Sequence, residues 1–298
     1  MGTKPKRNMK KNIISAVMGC ALALTSCVGS LQTNMDSSKI EFRPVIGNDT
    51  RAEGSIPFPQ DRSFKLWATE DRTGDIYISD ATISYNGGWY APKPWTQEPL
   101  RFTAYWPTDL DCIYSEDKGL QIISFDSSDG QTDLLLAEVK ADNDAGSQVT
   151  MNFQHILSRV GFKMIHSLQE SMSVKINKVT LSEIAMVGSY NLTTPHEWTG
   201  QTKNETCIVF EDGEGLLINS NEATYLEKEF YAIPQMTSAK LKVECQIHYG
   251  QAGSWIPQTY EISPIEIVWD PGKHMIYTLN IRMDKMVHTL GISSMNNR

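Results

Sequence analysis

The amino-acid sequence predicts an all-β protein made of antiparallel sheets packed as sandwiches. Apolar residues recur at every second position in run after run. Leu241, Val243, Cys245, Ile247 and Tyr249 alternate without a break with Lys240, Lys242, Glu244, Gln246 and His248. Turn-forming residues separate these runs at intervals of about 8–12 residues. After residue 27 no segment carries a long apolar pattern of helical period. Strands of this kind bury one face and wet the other, which two packed antiparallel sheets allow.

Taken in order, the chain begins with the layout of a signal peptide, residues 1–26. A basic region ends at Lys11, and an apolar stretch runs from Ile13 to Leu24. Spanning a bilayer as a helix takes about 20 apolar residues, and this stretch is shorter. Leu24-Thr25-Ser26-Cys27 resembles a bacterial lipobox, which makes Cys27 the residue that is acylated. Several acyl chains on one cysteine anchor durably, at roughly 0.8 kcal/mol per buried methylene. Residues 27–38, small and polar after Val28, suit a tether. Ile40–Ile46 then reads as a short strand.

The next expected strands are Phe64–Thr69, Ile76–Ile78, Thr82–Tyr85, Leu100–Trp106, Leu120–Phe125 and Val149–Phe153. They continue with Phe162–Ile165, Val174–Leu181, Thr206–Phe210, Gly215–Ile218, Glu229–Ile233, Leu241–Tyr249, Tyr260–Ile267 and Met275–Met283. Turn chemistry sits at Asn86-Gly87-Gly88, Ser128-Asp129-Gly130, Asp212-Gly213 and Asp270-Pro271-Gly272. One alternating run ends and another starts around Ile165–Ser171. A seam near 168 divides the mature chain into 39–167 and 168–298, each of ordinary domain size.

The charge balance excludes one class of partner. Residues 1–26 hold five of the 27 bases and no acid, which leaves 22 bases against 35 acids. Nucleic acid requires a basic footprint, so none is expected as a partner. Beyond Cys20 and Cys27, three cysteines remain, Cys112, Cys207 and Cys245. Their number is odd and their spacing wide, which is neither a disulfide framework nor a metal site; one pair among them remains open. Cys245 falls on an apolar side and reads as a buried small hydrophobe.

No chemistry-bearing motif appears. The six histidines are scattered, none two or four residues from another, so no metal is expected. His155, inside Phe153-Gln154-His155-Ile156-Leu157, reads as a hydrogen-bonded structural histidine. There is no nucleophile elbow, phosphate loop or zinc-protease motif. Glu70-Asp71 and Glu211-Asp212 lie in expected loops and do not define a facing pair. No catalytic residue and no cofactor is therefore expected, and the protein is not read as an enzyme. Seven tryptophans leave open a second reading, a surface lipoprotein that binds glycans or host ligands without polymerising.

An ordered set of segments resembles a known family. It comprises Asp49-Thr50-Arg51-Ala52, Phe64–Ala68, Leu100–Pro107, Thr132–Ala137, Val149–Val160, Tyr231-Ala232-Ile233-Pro234-Gln235 and Pro271–Leu279. In this order, after a lipobox, they resemble the fimbrillin (Mfa-like) family, type V pilus subunits of anaerobic Gram-negative bacteria. The resemblance implies two transthyretin-like Greek-key β-sandwich domains in tandem after a signal peptide. It implies a lipid-anchored precursor at the outer membrane, attached through Cys27, and a cell-surface fimbrium as its destination. It implies that an arginine-specific protease cuts between Arg51 and Ala52; Arg43 is followed by Pro44, which disfavours a cut there. The vacated groove is then filled by a strand from another pilus subunit, usually its tail. In this chain residues 287–298 lack the terminal tryptophan often seen, and their alternation is thin. Stalk, anchor and tip roles stay open.

Overall fold

In the computed structural model the alternating runs become strands, and no helix occurs among the described residues. These are residues 39–47, 55–115, 118–143, 148–193, 195–250 and 253–295. The signal peptide, the tether, Cys27, Arg51 and Ala52 lie outside them. The chain first forms β1 (Lys39–Ile46), β2 (Ile56–Pro57), β3 (Phe64–Glu70), β4 (Ile76–Ile83), β5 (Trp89–Pro94) and β6 (Leu100–Trp106). It continues through β7 (Cys112–Ser115), β8 (Gly119–Asp126), β9 (Leu135–Ala141) and β10 (Val149–His155). Then come β11 (Ser158–His166), β12 (Met172–Asn191), β13 (Trp198–Ile218), β14 (Thr224–Tyr225) and β15 (Phe230–Ala232). The last four are β16 (Gln235–Tyr249), β17 (Trp255–Trp269), β18 (Lys273–Ile281) and β19 (Met286–Ser294).

Three sheets result. The first runs β2-β1-β10-β9-β6-β3-β4, with β5 also on β1. The second runs β14-β11-β18-β19, with β15 on β11. The third runs β17-β16-β12-β8-β7, with β13 on β12. Pairing is antiparallel except at two places, β1 with β10 and β11 with β18. These two places follow one plan. β1 is parallel to β10 on one side and antiparallel to β5 and β2 on the other. β11 is parallel to β18 and antiparallel to β15 and β14.

The apolar faces collect into three cores. One holds Ile40, Phe42, Phe64, Leu66, Phe102 and Phe153. Another holds Phe162, Ile176, Val243, Trp269 and Tyr277. The third, with Tyr105, Leu120, Leu157, Tyr190 and Ile233, draws on both halves. Each fully buried Leu, Ile or Phe contributes roughly 1.5–3 kcal/mol, so these faces and not local propensity hold the sheets together.

Several strands are longer than the alternation suggests. Ile76–Ile78 and Thr82–Tyr85 merge into β4, with Asp80 at φ 47 inside it. The expected turn at Asp212-Gly213 is instead an irregularity within β13. Asp212 Oδ1 accepts bonds from the Glu214 and Gly215 amides (2.9 and 3.3 Å), and Gly215 takes φ 79. This is the local geometry of a turn, absorbed as a bulge because β12 continues alongside. β11 ends just before the seam expected at 168, and all its partners are later strands. β7 and β8, from the earlier stretch, join the third sheet through β12.

Candidate functional site

The arrangement around β1 is set by a few residues. Its even-numbered side chains turn inward: Ile40 is wholly buried, Phe42 is 1% exposed and Ile46 is 7% exposed. The Phe42 ring meets Phe102 edge-on at 5.3 Å and Phe64 at 6.5 Å, geometry that aromatic quadrupoles favour. Phe102 is backed by Trp95 at 5.9 Å. The odd-numbered residues turn to the opposite face. There Arg43 and Val45 form one wall of an open groove of about 790 Å³, with Thr150, Asn152 and His196 opposite or beside them.

β1 is thus an interior strand, paired along both edges. Phe42 through Ile46 run in register with Val149 through Phe153. On the other edge Phe42 faces Trp89, and Ile46 faces Ile56. Pro44 has no N–H to give and removes one rung from the ladder. Its carbonyl still accepts a bond from the Phe58 amide at 3.1 Å. Gly47 closes the strand: its amide donates to the Phe153 carbonyl (3.1 Å), and its carbonyl accepts from Gln154 Nε2 (2.6 Å).

The sequence pattern did not reveal the role of residues 56–58. β2 turns back along the end of β1, and Phe58, 2% exposed, plugs the core. Its ring contacts Phe64, Trp89 and Phe153 at 5.0–5.7 Å. The one available signal was an apolar triplet, Ile56-Pro57-Phe58, too short for a period. The connection between Gly47 and Ser55 carries Arg51 and Ala52. A cut there leaves β2 and Phe58 on the body and β1 attached by non-covalent contacts alone.

Other candidates resolve into structure. His155 Nδ1 lies 2.6 Å from Asp133 Oδ2, and Asp133 Oδ1 accepts the Leu134 amide (2.8 Å), so His155 is hydrogen-bonded as expected. Asp71 pairs with Lys140 (2.6 Å) and Arg101 (2.9 Å), and the Lys140 bond leads in holding its carboxyl below the usual range. Glu211 pairs with Lys178 at 2.8 Å. No group of three metal-ligating side chains occurs among the described residues. Cys112, Cys207 and Cys245 are free thiols, and burial pushes Cys245 up to about 12. Of the tryptophans, Trp89 and Trp269 are buried and the other five are half-buried.

Comparison with known proteins gives a consistent picture. A family model described as fimbrillin-like matches residues 50–295, beginning just after β1. The fold is similar to that of a fimbrial protein from Bacteroides vulgatus, with a TM-score of 0.64 at 13% identity, over 87% of this chain and 99% of that one. It is similar to a candidate cell adhesion protein from Parabacteroides distasonis, with a TM-score of 0.55 at 8% identity, over 86% and 95%. A candidate cell adhesion protein from Bacteroides uniformis gives a TM-score of 0.52 at 15% identity, over 86% and 99%. No curated protein matches the chain.

Proposed function

The chain belongs to the fimbrillin-like family, which makes it a fimbrial or adhesion component of the cell surface and not an enzyme, and we propose that it is a pilus subunit precursor whose first strand is removed during assembly. The observation that carries this reading is the position of β1. It is an interior strand, it inserts three side chains into a core, and the segment that joins it to the body contains Arg51. Its inserted side chains contribute roughly 5–9 kcal/mol gross at about 1.5–3 kcal/mol each.

In this reading Cys27 carries the lipid that holds the precursor at the outer membrane. An arginine-specific protease cuts between Arg51 and Ala52. Loss of β1 then exposes the N–H and C=O groups of β10 and β5 together with an apolar slot, a template for strand addition. A strand from a neighbouring subunit fills it. Head-to-tail exchange of this kind builds filaments, because it does not close on itself. The body is read as two sandwiches in tandem. Their seam is read near 168, and that all the partners of β11 are later strands would place that strand with the second sandwich.

The test is made on the producing cells with Arg51→Ala. The expected outcome is a full-length protein that stays with the membrane and disappears from the sheared pilus fraction. Equal amounts of variant and parent in that fraction would defeat the reading. Cys27→Ser is expected to lose the lipid label and the membrane association together.

A further inference from the structure

The slot that β1 fills has a shape, and the shape says which strands it accepts. Its second position is an aromatic pocket, made by the faces and edges of Phe64 and Phe102 around Phe42. Its first and last positions take Ile40 and Ile46, both buried. A filling strand therefore needs an aliphatic residue, an aromatic residue two positions later, and an aliphatic residue four positions after that.

The strand β19 does not supply this pattern. Residues 286–298 hold no Phe, Trp or Tyr. Laid along the slot, Met286, His288, Leu290 and Ile292 put His288 in the aromatic pocket. Shifting by two puts Leu290 there, with His288 in place of Ile40 and Ser294 in place of Ile46. The other parity offers Thr289 and Gly291.

A separate observation points the same way. β19 is already held in its own sheet. It pairs with β18 over nine consecutive residues without a register shift. Met286 and Met295, at its two ends, are each 7% exposed. The Met295 amide donates to the Gly272 carbonyl at 3.0 Å. Leaving this place would break the ladder and expose both methionines.

Resting on the strand-exchange reading above, we propose that the slot takes a strand from a different kind of subunit and not from β19 of a second copy. That strand carries the aliphatic-x-aromatic-x-x-x-aliphatic spacing, and β19 remains a fixed edge of its sheet.

The test uses the full protein cut after Arg51, with its β1 fragment retained, just below its melting transition. A fluorescein-labelled peptide of residues 39–46 is exchanged in, and unlabelled peptides compete with it. The unlabelled 39–46 peptide is expected to compete fully. Its Phe42→Leu form is expected to compete about tenfold more weakly, and a peptide of residues 286–295 at least about a hundredfold more weakly. The cut protein alone is expected to stay monomeric on a denaturing gel without boiling. Competition by the 286–295 peptide within about threefold of the parent, or a ladder of resistant polymers from the cut protein alone, would overturn the proposal. Failure of the labelled 39–46 peptide to enter at all would instead overturn the strand-exchange reading beneath it.

Discussion

Replacing Phe42 by alanine probes the central claim, that β1 is a core strand of the uncut protein. Phe42 is 1% exposed and its ring touches Phe64 and Phe102, which are themselves wholly buried. Truncation removes a ring from a packed aromatic cluster and leaves a cavity that rigid neighbours fill poorly. The expected cost is about 3–5 kcal/mol. At roughly 2–4 °C per kcal/mol for a chain of this size, the melting temperature falls by roughly 6–20 °C. Urea unfolding followed by tryptophan fluorescence measures it, with Trp89 on the adjacent strand as a nearby reporter. Glu41→Ala, on the outward face of the same strand, serves as the control; its partner is Gln148 at 2.7 Å, and its loss should cost under about 1 kcal/mol. A Phe42→Ala loss below about 1 kcal/mol would refute the reasoning, because a ring so enclosed cannot be removed at a surface cost.

Three further outcomes follow from other places in the fold. His166 is 4% exposed and its Nδ1 has no partner, so burial lowers its pKa. The folded state resists the proton that the unfolded chain accepts near pH 6.5, so stability is full above that pH and falls as the pH drops below it. His166→Leu should flatten the decline between pH 6.5 and 5 in urea titrations, and parallel curves for parent and variant would contradict this. Gln235 accepts from the Ala185 amide (2.8 Å) and donates to the Ala185 and Ile233 carbonyls (3.0 Å each), all in a buried setting. Gln235→Ala leaves three backbone groups unpaired and should cost about 3 kcal/mol or more in the same assay; a neutral effect would show that water replaces the side chain. Gly130 sits at φ 64 with the Phe230 Cβ only 2.7 Å from where its own Cβ would be, while Gly87 at φ 71 has open space. Gly87→Ala should therefore cost about 1 kcal/mol and Gly130→Ala clearly more, and equal melting temperatures would contradict the contact.

Strands wetted on one face were legible from the sequence, because their alternation is a direct record of burial. β10 begins at Val149, and β16 and β18 contain the runs that start at Leu241 and Met275. Strands that break this rule were not. β5 contains Pro92 and Pro94, and β9 opens on the continuous apolar run Leu135-Leu136-Ala137, so neither shows a clean period. Asp212-Gly213 has turn chemistry at the level of three residues, and only the continuing β12 makes it a bulge. β1 was legible as a strand from Ile40, Phe42 and Ile46. Its neighbours were not, since Gly47 and Gln154 meet across 107 positions and nothing local encodes that meeting. The Gln235 bonds were equally hidden: the sequence showed a conspicuous Ile233-Pro234-Gln235, and the structure shows why an amide, and no apolar residue, serves there.

The shared plan of β1 and β11 has a consequence for how many neighbours the protein can hold. Both strands lie between a parallel and an antiparallel partner and send apolar side chains into a core. They differ in how they are tethered. β11 follows β10 after only Ile156 and Leu157, which are 5% and 0% exposed, and Leu157 accepts a bond from the Gly272 amide. β11 is joined on both sides, to β10 through Ile156-Leu157 and to β12 through the largely exposed stretch 167–171, so a single cut on either side leaves it tethered in its berth. β1 is joined to the strands around it on one side only, through the connection between Gly47 and Ser55. On the proposed strand-removal reading, a unit with two berths of one design empties a single one, which makes it monovalent as an acceptor, and an assembly grown through it lengthens without branching.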